Sequence, residues 1–135
     1  MALSRKAAER IGFAAVAAAL ASAVFVRFGC FGFDSPWAIL ADLLVFGPSL
    51  LIGVACVSTS NPLRAVGASA GFIFASSFAY YTECIRPYEG GGASFIGLVL
   101  IVLVPICTGM GIFAFEITYL LAKLLRRVFL SWHAR

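Results

Sequence analysis

The stretch Trp37–Val57, WAILADLLVFGPSLLIGVACV, decides the fold class because it carries a single charged residue, Asp42. A helix of about 20 such residues crosses the hydrocarbon core of a bilayer, which is about 30 Å thick. Three similar stretches occur at about Ile11–Phe28, Pro62–Tyr81 and Phe95–Tyr119. A backbone in lipid must satisfy its own hydrogen bonds, so each stretch is predicted to be helical. The sequence therefore predicts an all-α, antiparallel bundle of four transmembrane helices in a single domain spanning residues 1–135, with a basic tail at 120–135.

The composition supports a membrane protein. Of the 135 residues, 62% are hydrophobic and 12% are charged, whereas a soluble domain has roughly 45–50% apolar and about 25% charged residues. A spanning barrel would show short segments that alternate polar and apolar residues, and no such alternation occurs. The basic start and Ala21-Ser22-Ala23 resemble a cleaved signal peptide. The apolar run nevertheless continues through Val26, which favours a retained first helix.

The distribution of basic residues predicts the orientation. Lys and Arg in short loops stay on the cytoplasmic side of a membrane. Only Arg27 and Arg86 fall near the other two loops. The remaining basic residues lie in the termini and in the link after helix two: Arg5, Lys6, Arg10, Arg64, Lys123, Arg126, Arg127 and Arg135. This bias places both termini in the cytoplasm, and the Arg-, Ala- and Gly-rich composition suggests a bacterial inner membrane. The net charge of +4 then reflects orientation and anionic lipid headgroups, not a nucleic-acid partner.

Turn and packing residues add detail to this topology. Asp34-Ser35-Pro36 and Ser60-Asn61-Pro62 place capping side chains before a proline, as helix starts prefer. Helix three carries small residues every fourth position, which lets two membrane helices approach closely: Gly67, Gly71, Ala75 and Ala79. The Ala-rich helix one is its natural partner. Packing inside a monomer is favoured, with a homodimer seam as the alternative. Pro48 and Pro105 are interpreted as kinks that shape this packing, and a binding site at these helix breaks, as in transporters, is the alternative.

Two acids lie within or beside the apolar helices, where an ionisable residue is costly and suggests function. Asp42 lies near the outer end of helix two, and Arg27 is a suitable partner for it. Glu116 lies at the cytoplasmic end of helix four and could pair with Arg64. A structural ion pair is the favoured interpretation of Asp42; proton or cation binding and partner recognition remain alternatives.

The two outer loops, residues 29–37 and 80–92, concentrate aromatic, acidic and arginine residues on one face of the membrane. Aromatic and Arg side chains are preferred interface anchors, and acids attract a basic partner. The candidate partner-binding residues are Asp34, Trp37, Glu83, Arg86, Tyr88 and Glu89. An ordinary aromatic belt at the membrane interface is the alternative. Cys30 and Cys84 also lie in these loops and could form a disulfide in an oxidising periplasm, or both could stay free.

The sequence lacks the residue patterns that other kinds of chemistry require. Metal and haem sites need clustered ligands, and His133 is the single histidine, so neither a metal nor a cofactor is predicted. A redox centre would need closely spaced cysteines such as Cys-x-x-Cys, which do not occur. Phosphate-binding loops and Ser/His/acid constellations are absent from the sequence as well. The chain is therefore predicted not to be an enzyme.

Four predicted helices, cytoplasmic termini and polar, aromatic outer loops together resemble small inner-membrane bacteriocin immunity proteins. The resemblance is one of architecture across the whole chain, and it transfers no residue role. It implies protection against a toxin by binding at the periplasmic face. Immunity to a colicin M-type toxin, which cleaves a lipid-linked peptidoglycan precursor, is favoured over immunity to a pore-forming colicin or pyocin. The partners would be the lipid bilayer and either the toxin or its lipid target. A small transporter or channel using Asp42, and an accessory subunit of a larger membrane complex, are the alternatives.

Overall fold

The computed structural model describes residues 4–31, 36–85 and 93–133, and within these ranges it contains helices and no strands. The four helices are α1 (Arg5–Val26), α2 (Pro36–Val57), α3 (Arg64–Tyr80) and α4 (Ala93–His133). Two π-helical turns of five residues each, Arg27–Phe31 and Tyr81–Ile85, directly continue α1 and α3. The predicted all-α class is confirmed.

Three segments in the described part of the chain are long and apolar enough to cross a membrane. They are Arg5–Gly29, Ile39–Val57 and Val99–Phe129. The helix α3, with 17 residues, is not among them. Large apolar side chains cover the outside of the bundle; Leu51, Phe74 and Phe113 are 70%, 68% and 68% exposed. Because a soluble protein rarely exposes so much contiguous apolar surface, the outer faces of these helices suit lipid.

Helices that follow each other in the chain run antiparallel, and the other three helices pack around α3. An added Cβ at Gly12 of α1 would meet Val57 at the end of α2, and one at Gly71 of α3 would meet Cys107 of α4. α3 packs against all three other helices. Its buried residues face in several directions: Ala65, Gly67, Ala68, Ser69, Phe72, Ala75, Ser76 and Ala79. α3 is therefore the central helix of the bundle.

The contact between α3 and α4 is the closest in the structure. A Cβ added at Gly67 would lie 2.5 Å from the carbonyl oxygen of Gly111, and one at Gly71 would lie 2.7 Å from the carbonyl carbon of Cys107. These glycines let two backbones touch directly, as small residues do between membrane helices. The expectation that α1 packs on this face was wrong for Gly67 and Gly71. α1 is also small-residue-rich, but the glycines of α4 complement those of α3 more closely than alanines could.

The residues that cap the helix starts differ from the sequence prediction at α3. The Ser4 hydroxyl accepts a hydrogen bond from the Ala7 amide at 3.3 Å and caps α1. Pro36 is the first residue of α2, where its missing N–H costs nothing. The expected cap before α3 was wrong, because α3 starts after Leu63 without a side-chain hydrogen bond. A backbone turn replaces the cap, with the Arg64 amide donating to the Asn61 carbonyl at 3.1 Å.

The helices also extend beyond the apolar stretches. α1 begins at Arg5, six residues before the predicted Ile11, and α4 continues to His133. The segment 120–133, predicted as a basic tail, is therefore the last part of α4. The physical reason is that lipid limits the apolar part of a helix, whereas hydrogen bonding and propensity carry the helix on into water.

Candidate functional site

The bundle has two ends, which the helix directions define. The π-turn end holds the two π-helical turns together with the starts of α2 and α4. The terminal end holds the start of α1, the link 58–63 and the later part of α4. Of the predicted partner-binding residues, Trp37 and Glu83 belong to described elements at the π-turn end.

An ion pair between α1 and α2 lies near the π-turn end. The Nε atom of Arg27 is 3.2 Å from Oδ2 of Asp42, and the side chains are 15% and 30% exposed. Arg27 opens the π-helical turn that ends α1, and Asp42 lies in the second turn of α2. Opposite charges on adjacent helices offset the cost of placing either alone in an apolar setting. The structure thus brings together the two residues that the sequence suggested as partners.

A shallow groove of about 180 Å³ runs between α1 and α2 beside this ion pair. Its lining includes the buried side chains of Ala23 and Phe46 and the exposed side chains of Leu20 and Leu43. Gly47 also lines it, and a Cβ there would meet no atom within 4 Å. The groove is apolar along its length and carries the two charges of Arg27 and Asp42. Such a surface can hold a hydrocarbon chain with a polar group at the ion pair.

The other candidate partner-binding residues are only partly described. Trp37, in the first turn of α2, is 78% exposed. Glu83 belongs to the π-helical turn Tyr81–Ile85, but its side chain lies outside the described residues. Asp34, Arg86, Tyr88 and Glu89 also lie outside them. The partner-binding roles of all these residues stay predictions.

The cysteines divide into two groups. Cys84, in the second π-helical turn, forms a disulfide, whereas Cys56 and Cys107 are free thiols within α2 and α4. The fourth cysteine of the sequence is Cys30, whose side chain lies outside the described residues. Its pairing with Cys84 stays a prediction, and both residues belong to π-helical turns at the same end of the bundle.

A second interhelical ion pair joins α3 and α4 at the terminal end. Arg64 Nε donates a hydrogen bond to Oε1 of Glu116, and the two side chains are 37% and 28% exposed. Together with Arg5–Glu9 on α1 and Arg27–Asp42, it gives every described acidic side chain an arginine partner. The acids of the helices therefore have structural partners within the chain.

A polar contact that the sequence analysis missed links α1 to α3. The hydroxyls of Ser22 and Ser76 lie 3.0 Å apart and form a hydrogen bond. Beside them is a cavity of about 110 Å³ that Phe25 and Tyr80 also line, with their ring centroids 5.5 Å apart. The available signal was weak, because serines in an Ala-rich helix resemble ordinary small packing residues. The spacing alone could not show that the two serines meet.

Among the described residues, no group of three or more His, Cys, Asp or Glu side chains is placed to hold a metal ion. Comparison with protein families, with curated proteins and with solved structures finds no match for this chain.

Proposed function

We propose that this chain is a four-span protein of the bacterial inner membrane, with both termini in the cytoplasm, and that it acts as a bacteriocin immunity protein by binding at the periplasmic face. The position and length of α3 support the four-span topology. This helix is packed among three segments that are each apolar and long enough to span. With its π-helical turn it extends from Arg64 to Ile85, which suits the thickness of a bilayer.

The observation that carries the functional proposal is the pairing of Glu9, Asp42 and Glu116 with arginines. An acid that is neutralised by a neighbouring arginine stabilises the helix contact and is a poor carrier of protons or cations. The sequence has three other acids, Asp34, Glu83 and Glu89, which belong to the predicted outer loops. Together with the exposed Trp37, they supply negative charge and rigid apolar area for a basic partner.

In this proposal the protein acts by binding and neither makes nor breaks covalent bonds. In one form, the loops at the π-turn end contact the toxin and block it at the membrane surface. In the other, the loops, together with the groove beside Arg27 and Asp42, cover the lipid on which a colicin M-type toxin acts. The groove supports the second form, because its apolar lining of about 180 Å³ suits part of a lipid chain. Immunity to a pore-forming toxin would use the first form.

Survival of a sensitive bacterial strain tests the proposal. The strain expresses the protein and is challenged with lipid-precursor-cleaving and pore-forming toxins. Charge reversal at Glu83 and Glu89, combined with Tyr88→Ala, should abolish protection while insertion stays normal. Truncating an interface anchor typically costs about 2 kcal/mol or more, which is roughly a thirtyfold loss of affinity.

The matched control reverses a charge at the terminal end. Glu9 forms an exposed ion pair with Arg5, and Glu9→Lys should leave protection intact. Full protection by the triple loop variant would refute recognition through the second loop. Failure of the unmodified protein to protect against any toxin of either class would refute the immunity function.

The groove also favours a second candidate, a small transporter that moves an amphiphile past Arg27 and Asp42. The two candidates respond differently to Asp42→Asn. A transporter would lose activity with its intramembrane charge and would tolerate the loop changes. An immunity protein should lose protection with the loop changes, and one that blocks the toxin with its loops alone should keep its protection in Asp42→Asn as long as the variant folds.

A further inference from the structure

The last part of α4 extends beyond the bundle. α4 has 41 residues, so at about 1.5 Å per residue it is about 60 Å long, roughly twice the thickness of the hydrocarbon core. Its residues 93–116 alone reach about 36 Å, which suffices to span. Glu116 pairs with Arg64 at the start of α3, and all described side chains from 117 to 129 are exposed.

This segment, residues 117–133, has two distinct faces. On the apolar face, side chains recur at helical spacing and are 42–69% exposed: Ile117, Leu121, Leu124 and Leu125. On the other face, the spacing of three and four residues groups three basic side chains: Lys123, Arg126 and Arg127. Water is a poor solvent for the first face, so that face requires an apolar contact.

We infer that residues 117–133 lie in the interface of an anionic lipid leaflet, with the apolar face against the acyl chains and the basic face against lipid phosphates. A helix with one apolar and one Lys/Arg-rich face binds membranes in this way. Each basic residue near an anionic surface strengthens binding by about fivefold, and three by on the order of a hundredfold. α4 is one continuous helix in the structure, so this placement requires it to bend after Glu116, which pairs with Arg64 of α3.

Charge complementarity selects lipid over a second copy of the chain. Residues 117–135 contain no Asp or Glu, so two such segments side by side would bring only basic residues together and repel each other. An anionic leaflet supplies the opposite charge and an apolar layer at the same place. The inference does not depend on the immunity function, because it concerns the terminal end and uses none of the loop residues.

The test places spin labels on the full-length protein in nanodiscs that contain about one third anionic lipid. Single cysteines replace Leu124 on the apolar face and Arg126 on the basic face, in a background of Cys56→Ala and Cys107→Ala. Collision with oxygen reports lipid contact, and collision with a water-soluble nickel complex reports water. The label at 124 should favour oxygen, and the label at 126 should favour nickel.

Electrostatics provides the second measurement. Lys123→Gln, Arg126→Gln and Arg127→Gln together should weaken interfacial binding by on the order of a hundredfold, so the label at 124 should become accessible to nickel. High salt or purely zwitterionic nanodiscs should act in the same direction for the unmodified segment. Water contact at both labelled positions in anionic nanodiscs would overturn the inference. So would a depth at 124 that ignores lipid charge, or spin–spin broadening that reveals a second copy on the apolar face.

Discussion

Replacing Gly71 by alanine adds a single methyl group. This change should destabilise the bundle more than a Gly→Ala change at its other glycines. In Gly71→Ala, the new Cβ would lie 2.7 Å from the carbonyl carbon of Cys107 and 3.1 Å from Cα of Thr108. Both neighbours are backbone atoms of α4, so no side-chain rotation relieves the overlap. The two helices must separate by about 1 Å to restore ordinary contact distances of about 3.5–4.0 Å.

The cost follows from what that separation removes. Membrane helices are held together largely by close packing, and overpacking a tight contact costs typically about 1–3 kcal/mol. Alanine also favours a helix over glycine by about 1 kcal/mol, which opposes the loss. We therefore expect Gly71→Ala to lower the free energy of unfolding by about 1 kcal/mol, and Gly71→Leu to lower it further.

Gly109→Ala is the matched control. Gly109 lies on α4 two residues from Gly111, and a Cβ there would meet no atom within 4 Å. The control should be neutral or slightly stabilising. Both variants are unfolded reversibly by SDS in mixed micelles and followed by circular dichroism. Equal stability of Gly71→Ala and Gly109→Ala would show that the close contact between α3 and α4 does not exist.

Two further predictions concern the polar contacts between helices. Asp42→Asn leaves Arg27 without its carboxylate and should lower the free energy of unfolding by at least about 1 kcal/mol. An unchanged unfolding curve in the same SDS assay would show that this ion pair does not stabilise the bundle. Ser22→Ala and Ser76→Ala should each destabilise, and the double variant should reveal a coupling of about 0.5–1 kcal/mol, whereas strict additivity would mean that the two hydroxyls do not interact.

The sequence predicted the elements of the fold better than their contacts. The run Trp37–Val57 lies entirely within α2, because an apolar stretch of that length has few alternatives to a helix. The ends of α1 and α4 were missed, since apolar length says little about where a helix ends in water. The partner of Gly71 was also missed. A face of small residues indicates that another helix approaches closely, but it does not identify which helix that is.

The candidate site shows the same division. Arg27 and Asp42 could be paired from sequence because each charge lies near the same end of an apolar helix and needs an opposite charge. The groove beside them could not be predicted, since it depends on the open space at Gly47, where an added Cβ would meet no atom within 4 Å. The contact between Ser22 and Ser76 joins residues 54 positions apart, and a single sequence contains no signal for that distance.

The orientation of the four helices is the central claim, since the periplasmic face, the site and the immunity mechanism all depend on it. Reporter fusions test it most directly, with a phosphatase that is active only in the periplasm and a fluorescent protein that folds only in the cytoplasm. Fusions after Arg64 and at the C-terminus should fluoresce, and fusions at Asp34 and Gly91 should show phosphatase activity. Phosphatase activity after Arg64, or on both sides of α3, would contradict a four-span topology with cytoplasmic termini.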